Sequence, residues 1–256
     1  MPVKTHSAEL SLPGVVVVTG GGRGIGAQVV RQLVAAGSQV VFSYLSNQQA
    51  AEALCEELGT GAHAVRADVA DSDQVALLFN YAVENLGAVE GLVNNAGIVG
   101  YKQRLDEMSA ERLQQMFDTN VLGLMYCCQA ASRVMSTRYG GQGGAIVNVS
   151  SAAARIGSPG EYVDYAASKG AVDTLTVGLA KELAEEGVRV NGVRPGIINT
   201  DIHASGGQPD RAQRLQHLIP MQRPGEAEEV AQSICWLLSA QASYCTGAIL
   251  DVSGGR

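Results

Sequence analysis

Tyr165 and Lys169 stand four residues apart in the run Tyr165-Ala166-Ala167-Ser168-Lys169, which is made of good helix formers. In a helix that spacing sets both side chains on one face, about 6 Å apart along the axis. The pairing has a chemical use. A free phenol ionises near pH ~10 and accepts protons poorly at neutrality. A neighbouring ammonium favours the phenolate and turns the hydroxyl into a usable general acid or base. Taken alone, the same spacing fits an ordinary amphipathic helix, so the surrounding elements have to decide.

A second constellation lies near the start of the chain. Val15-Val16-Val17-Val18 is a short β-branched run that reads as a buried parallel strand. It runs into Gly20-Gly21-Gly22-Arg23-Gly24-Ile25-Gly26 and then a helix-like segment, 27–36. Strand, glycine-rich turn and helix bring backbone N–H groups and a helix N-terminus against a diphosphate. The alternation continues: strands at 39–44, 62–69, 89–94, 145–150, 188–193 and 248–252, helices at 48–58, 71–86, 109–139, 165–186 and 226–239. The helix 71–86 is capped by Asp71 or Ser72, and 109–139 reads as one long helical stretch. Repeated βα units with apolar strands predict an α/β fold, a Rossmann-type doubly wound sheet of seven parallel strands with helices on both faces. No linker or composition shift divides residues 1–256, so one domain is expected.

Composition narrows the function classes. A formal net charge of −7 argues against nucleic acid or an anionic membrane as the main partner. The five cysteines form no Cys-x-x-Cys pair and read as reduced, mostly buried thiols. His6, His63, His203 and His217 show no ligand spacing, so no metal site is expected. Residues 1–14 carry no apolar signal region and 15–18 is too short to span a bilayer, which points to a cytoplasmic protein. Ligands of open α/β sheets lie at the carboxyl ends of the strands. The informative residues fall there: Gly20 to Gly26, Asp68-Val69, Asn94 to Gly97, Ser150-Ser151 and Pro195-Gly196.

With those motifs in place, the chain resembles the short-chain dehydrogenase/reductase family along essentially its whole length. Thr19-Gly20-x-x-x-Gly24-Ile25-Gly26 is similar to the family's cofactor loop and Asn94-Asn95-Ala96-Gly97 to its fourth-strand motif. Asn120, Ser151, Tyr165 and Lys169 match its catalytic set. Arg189-Val190-Asn191 with Pro195-Gly196 and Thr200 matches the segment beside the nicotinamide, and Tyr244-x-Thr246-Gly247 with Ser253-Gly254-Gly255 the last strand and its flanks. Within the family the chain looks most like the glucose-type sugar dehydrogenases and the 3-oxoacyl-carrier-protein reductases. It departs from the pattern at one place: thirteen residues separate Ser151 from Tyr165 where the family usually has twelve. The extra residue falls in Glu161-Tyr162-Val163-Asp164, and Tyr162, with Ala166 four residues on, is read as pocket or rim.

The resemblance implies an oxidoreductase that interconverts an alcohol and a carbonyl by hydride transfer. Tyr165 would exchange the proton, Ser151 hydrogen-bond the reacting oxygen, and Lys169 hold the nicotinamide ribose while depressing the Tyr165 pKa. Asn120 would hold a water that links Lys169 to solvent. Asp68 and Val69 would sit against the adenine, Asn95, Ala96 and Gly97 along the adenosine ribose, and Pro195, Gly196, Ile198 and Thr200 at the carboxamide and diphosphate end. An NAD enzyme normally ends its second strand with a carboxylate. Here that position is Tyr44, and no acid follows until Glu52. With Arg23, Ser46 and Asn47 within reach of a 2′-phosphate, NADP(H) is expected over NAD(H), which stays possible. The resemblance also implies a homotetramer built on the two long helices and the last strand. The substrate loop, about 197–223, follows no motif, so the small-molecule alcohol or carbonyl stays open. Arg194, Arg211, Arg214 and Arg223 around it fit either an anionic substrate or a solvated face. The contrasting readings are a nucleotide-sensing or scaffolding member without turnover, and a member that uses the site for dehydration or epimerisation.

Overall fold

The computed structural model describes residues 10–200 and 206–256; residues 201–205, part of the expected substrate loop and including His203, and residues 1–9, including His6, lie outside the described part. The run Val15–Thr19 forms β1, buried at every position, as a central strand covered on both faces must be. It leads through the glycine turn to α1 (Gly24–Ala35), β2 (Gln39–Tyr44), α2 (Gln48–Leu58), β3 (Ala62–Arg66), α3 (Ser72–Leu86) and β4 (Gly91–Asn94). Then come α4 (Ala110–Phe117), α5 (Gly123–Met135), β5 (Gly144–Val149), the short α6 (Ala153–Ile156), the long α7 (Val163–Leu183) and β6 (Val188–Pro195). The remainder gives β7 (Ile198–Asn199), α8 (Arg211–Arg214), β8 (Gly225–Glu226), α9 (Ala227–Leu238) and β9 (Ile249–Val252).

Seven strands make one parallel sheet in the order β3-β2-β1-β4-β5-β6-β9, and β7 pairs with β8 apart from it. The order reverses between β1 and β4, where Thr19 stands opposite Asn94. A crevice opens at that switch point, where such sheets bind ligands. One core packs α1, α2 and α9 on one face, with Phe42, Leu33 and Ile234 fully buried. The other packs α3, α5 and α7 on the opposite face, with Leu78, Cys127 and Val190 at its centre. Both helix layers therefore rest on the sheet and hold the strand ends still.

Several local readings are corrected. The stretch 109–139 is not one helix: a π-helical turn, Asp118–Leu122, separates α4 from α5, and α5 stops at Met135. There Ser136 Oγ turns to Glu186 and to the backbone N–H of Arg138, which starts a separate turn. The expected helix 165–186 begins earlier, at Val163, and gives way to a 3-10 turn after Leu183. β3 ends at Arg66 rather than residue 69, because Asp68 Oδ1 accepts from the Ala70 N–H at 2.9 Å and turns the chain toward α3. α6, β7 and β8 are too short to show any periodicity in sequence.

Candidate active site

α7 carries Tyr165 and Lys169 on one face, and the segment that leaves β5 carries Ser150 and Ser151. Ser150 is buried and its Oγ donates to the Lys169 carbonyl at 3.1 Å, tying the strand end to α7. Ser151 is half-buried and lines the cavity beside Tyr165. Its hydroxyl is hydrogen-bonded to Tyr165 and accepts from the Ala153 N–H at 3.1 Å. Lys169 is buried; its Nζ donates to the Val149 carbonyl at 2.7 Å and lies 5.7 Å from the Tyr165 ring centroid. Burial pushes the Lys169 ammonium down to about 8, against a smaller upward pull from Asp173.

The Tyr165 phenol behaves differently from the expectation. Burial pushes it above its ordinary value, and the Ser151 hydrogen bond pulls it only partly back. Desolvation thus outweighs any depression by the ammonium, which is engaged with Val149. A phenol held protonated is a donor, the form that reduction of a carbonyl calls for.

Asn120 sits in the π-helical turn and is buried. Its Oδ1 accepts from the Ile98 N–H at 2.8 Å, while Nδ2 donates to the Ile98 carbonyl at 3.0 Å and to Ser168 Oγ at 3.1 Å. The Asn120 side chain is therefore tied to Ile98 and Ser168. What it does is fix the backbone beside Gly97, against which both Asn120 and Lys169 lie: a Cβ there would stand 3.3 Å from Asn120 Oδ1 and 3.6 Å from Lys169 Nζ. π-turns of this kind commonly mark functional sites.

The glycine loop is shaped for close approach by a ligand. Gly24 has φ +53°, a left-handed conformation that a side chain rarely adopts. A Cβ on Gly26 would lie 2.3 Å from the Gly20 carbonyl oxygen and 2.5 Å from Asn95 Nδ2, so only glycine lets α1 start against the strand. The N-cap residue of α1, Arg23, makes no side-chain cap and the first turn holds no acid. Its leading N–H groups and dipole therefore face the crevice uncompensated, the arrangement that receives a diphosphate. Asn95 secures the loop from β4 by donating Nδ2 to the Thr19 and Gly20 carbonyls at 3.0 and 2.9 Å.

A cleft of about 330 Å³ is lined by Gly20, Arg23, Gly24, Ile25, Tyr44, Ser46, Asn47, Asp68, Val69, Asn95, Ala96, Gly97 and Thr200. Among the described residues of that lining Asp68 is the one acid, and Arg23 is exposed. A second cavity of about 160 Å³ is lined by Ser151, Tyr165, Lys169, Pro195, Gly196 and Ile198. Ile25, Asn95, Gly97 and Thr200 border both, so one continuous crevice joins the glycine loop to Tyr165. Gly26 lies beneath the loop and Asn120 behind Gly97; neither lines the crevice. The cradle, the uncapped helix and the polar residues along the crevice fit a dinucleotide.

Of the four arginines considered, Arg194 is spent on Asp173 and Asp251, Arg223 on Glu229, and Arg214 lies near Asp210 and donates to Gln208. Arg211 alone lines the cavity, and Tyr162 lines it as well. Arg112 is a residue that sequence reasoning missed. Its Nε and Nη2 donate to both oxygens of the buried Asp164, at 2.8 and 3.2 Å, and its Nη1 to the Tyr101 carbonyl at 2.7 Å. It thereby clamps the first turn of α7 and the loop 98–104 over the site. An acid directly before Tyr165 was the available signal.

The fold, the crevice and the Tyr-Lys helix together define an oxidoreductase of the nicotinamide-dinucleotide class, and the chain belongs to the short-chain dehydrogenase/reductase family. The family model described as enoyl-(acyl carrier protein) reductase matches residues 20–256. The uncharacterized oxidoreductase YgfF of Escherichia coli is 49% identical over 245 residues, 94% of this chain and 99% of that one. The 3beta-hydroxysteroid dehydrogenase 1 of Eggerthella lenta is 41% identical over 244 residues, 94% of this chain and 92% of that one. Among solved structures, a blue fluorescent protein from a metagenomic library, crystallised in complex with NADPH, superposes with a TM-score of 0.85 at 36% identity, covering 94% of this chain and 96% of that chain. The chain is thus an NAD(P)-dependent family enzyme, and among the described residues no helix is long and apolar enough to cross a membrane.

Proposed function

We propose that the protein interconverts an alcohol and a carbonyl with NADP(H) preferred over NAD(H), through Tyr165, Ser151, Lys169 and Asn120. The observation that carries this reading is the convergence of Tyr165, Ser151 and Lys169 on a cavity continuous with the glycine-lined cleft. The nicotinamide, when bound, supplies or accepts the hydride. Tyr165 gives its phenolic proton to the substrate oxygen in reduction and takes it back in oxidation. Ser151 donates to the same oxygen and stabilises the charge that develops on it. Lys169 holds the ribose, and Asn120 positions the Gly97–Ile98 backbone against which Lys169 lies. Asp68 and Val69 hold the adenine end; Pro195, Gly196, Ile198 and Thr200 hold the nicotinamide end. A relative named as a hydroxysteroid dehydrogenase supports an alcohol-to-ketone reaction.

The preference for NADP(H) rests on Tyr44 standing where an acid would repel a 2′-phosphate, with Arg23 exposed beside the same cleft. Ser46 and Asn47 add donors there, although Asn47 already caps α2 by accepting from the Ala50 N–H at 3.1 Å. The NADPH complex of a structural neighbour is in line with it. We assign NADPH a dissociation constant at least ~10-fold below that of NADH, roughly 1.4 kcal/mol. Titrating both into the purified protein tests this, and equal or tighter NADH binding overturns it.

The assembly we assign is a homotetramer, with the protein in the cytoplasm. Phe117, Leu122, Met125 and Val177 are exposed on α4, the π-turn, α5 and α7, and a Cβ at Gly170 or Gly178 would meet nothing within 4 Å. Such a face lets helices of a second copy approach closely. Tyr244, fully exposed near β9, offers a second apolar contact. Light scattering at micromolar concentration should give four chains; a monomer refutes the assignment.

A further inference from the structure

The catalytic cavity carries a second set of polar groups. Arg211, from α8, lays its guanidinium over the Tyr162 ring, with Cζ 5.0 Å from the centroid. Its Nη2 donates to Glu161 Oε2 at 2.7 Å. Its Nη1 is buried and has no hydrogen-bond partner among the described residues. A buried donor on a charged group left unmatched is costly, which calls for an acceptor in the cavity that Arg211 lines.

Tyr162 presents a second donor to the same space. Gln208 Oε1 accepts from Arg214 Nη2, which orients the amide so that Nε2 donates to Tyr162 Oη. With its oxygen already accepting, the Tyr162 hydroxyl keeps its proton to donate. Burial pushes this phenol above its ordinary value, so it stays a donor across the neutral range. The local charge is positive. Glu161 is shared between Arg211 and Lys102, whose Nζ is 3.7 Å from Oε1, and Arg256 lines the cavity within electrostatic reach of Arg211. The same cavity is also lined by the apolar side chains Val99, Ile156 and Ile197.

We propose that the carbonyl or alcohol substrate of this site carries a carboxylate, held by Nη1 of Arg211 and the hydroxyl of Tyr162, at the far end of a short apolar body. The proposal rests on the reading that this cavity holds the reacting carbonyl. A monoanion is favoured over a phosphate because Glu161 stands beside the binding nitrogen and repels a second charge more strongly.

The test is calorimetric titration of the enzyme loaded with NADP⁺, a complex in which a ketone binds without turnover. The probes are 4-oxopentanoate, 5-oxohexanoate and 6-oxoheptanoate, each beside its methyl ester and its keto phosphonate analogue. At least one acid should bind about 10-fold more tightly than its ester, the scale of a hydrogen bond to a charged group. Arg211→Met should bring that ratio close to one, and Arg211→Lys should keep part of it. Absence of any acid preference in the wild type, or a wild-type ratio in Arg211→Met, overturns the proposal. A phosphonate that binds more tightly than its acid overturns the choice of a carboxylate. The NADP⁺ titration that precedes these runs separates the two levels: its failure refutes the assigned function, whereas loss of acid preference with cofactor bound refutes only the carboxylate. In Arg211→Met it also verifies the fold.

Discussion

Replacing Asp164 with Asn removes a charge and keeps the shape, and the structure sets the size of the effect. The Asp164 side chain is fully buried and takes both of its ion-pair bonds from Arg112, whose own side chain is 15% exposed. Breaking a buried pair costs about 3–5 kcal/mol. The lower end applies, because Arg112 keeps its bonds to the Tyr101 carbonyl and Gln103 and reaches some water. For 256 residues, at about 2.1 cal/mol/K each, the unfolding entropy is about 0.54 kcal/mol/K, so ~3 kcal/mol lowers Tm by about 6 °C. Calorimetry or circular dichroism of the two proteins side by side measures this. The same substitution should raise KM, since Arg112 also holds the loop 98–104 over the cavity. A Tm change under about 2 °C would show that the pair is not the clamp described here.

Two further outcomes follow from the site. Tyr44→Asp should move cofactor preference toward NADH, because the new carboxylate accepts from a ribose 2′-hydroxyl and repels a 2′-phosphate; an unchanged NADPH-to-NADH ratio contradicts the placement of Tyr44. Lys169 is held at about 8 when folded, against 10.5 as the ordinary value, so between those limits the unfolded chain binds more protons. Its burden on stability is full below about pH 8 and lifts as pH rises toward 10.5. Denaturant melts of wild type and Lys169→Met at pH 7.5 and 10 should show the wild type gaining relative to the variant; a pH-independent difference contradicts the burial argument.

Much of the arrangement was legible because it is written in local pattern. The unbroken Val15–Thr19 run, the alternation of apolar strands with helices, and the glycines at Gly20, Gly24 and Gly26 each have one cheap structural solution. The four-residue spacing placed Tyr165 and Lys169 on one face of α7 as a helix demands. What stayed hidden depends on partners far away in sequence. The Arg112–Asp164 clamp joins residues 52 apart, and no periodicity marks it. The π-turn at Asn120 comes from tertiary packing rather than from helix propensity, and so do the bonds that tie its side chain to Ile98 and Ser168. The direction of the Tyr165 shift was misjudged for a related reason: spacing reveals the ammonium, and only packing reveals the desolvation that outweighs it.

The role proposed for Tyr165 is that of proton donor to a substrate carbonyl. It is tested most directly by kcat for NADPH-dependent reduction of any ketone the wild type accepts, measured for Tyr165→Phe and Tyr162→Phe. Tyr165→Phe should lose at least ~10² to 10⁴ with NADPH still bound, and Tyr162→Phe far less, mainly through KM. If Tyr162→Phe is the inactive variant and Tyr165→Phe turns over, Tyr165 is not the proton donor.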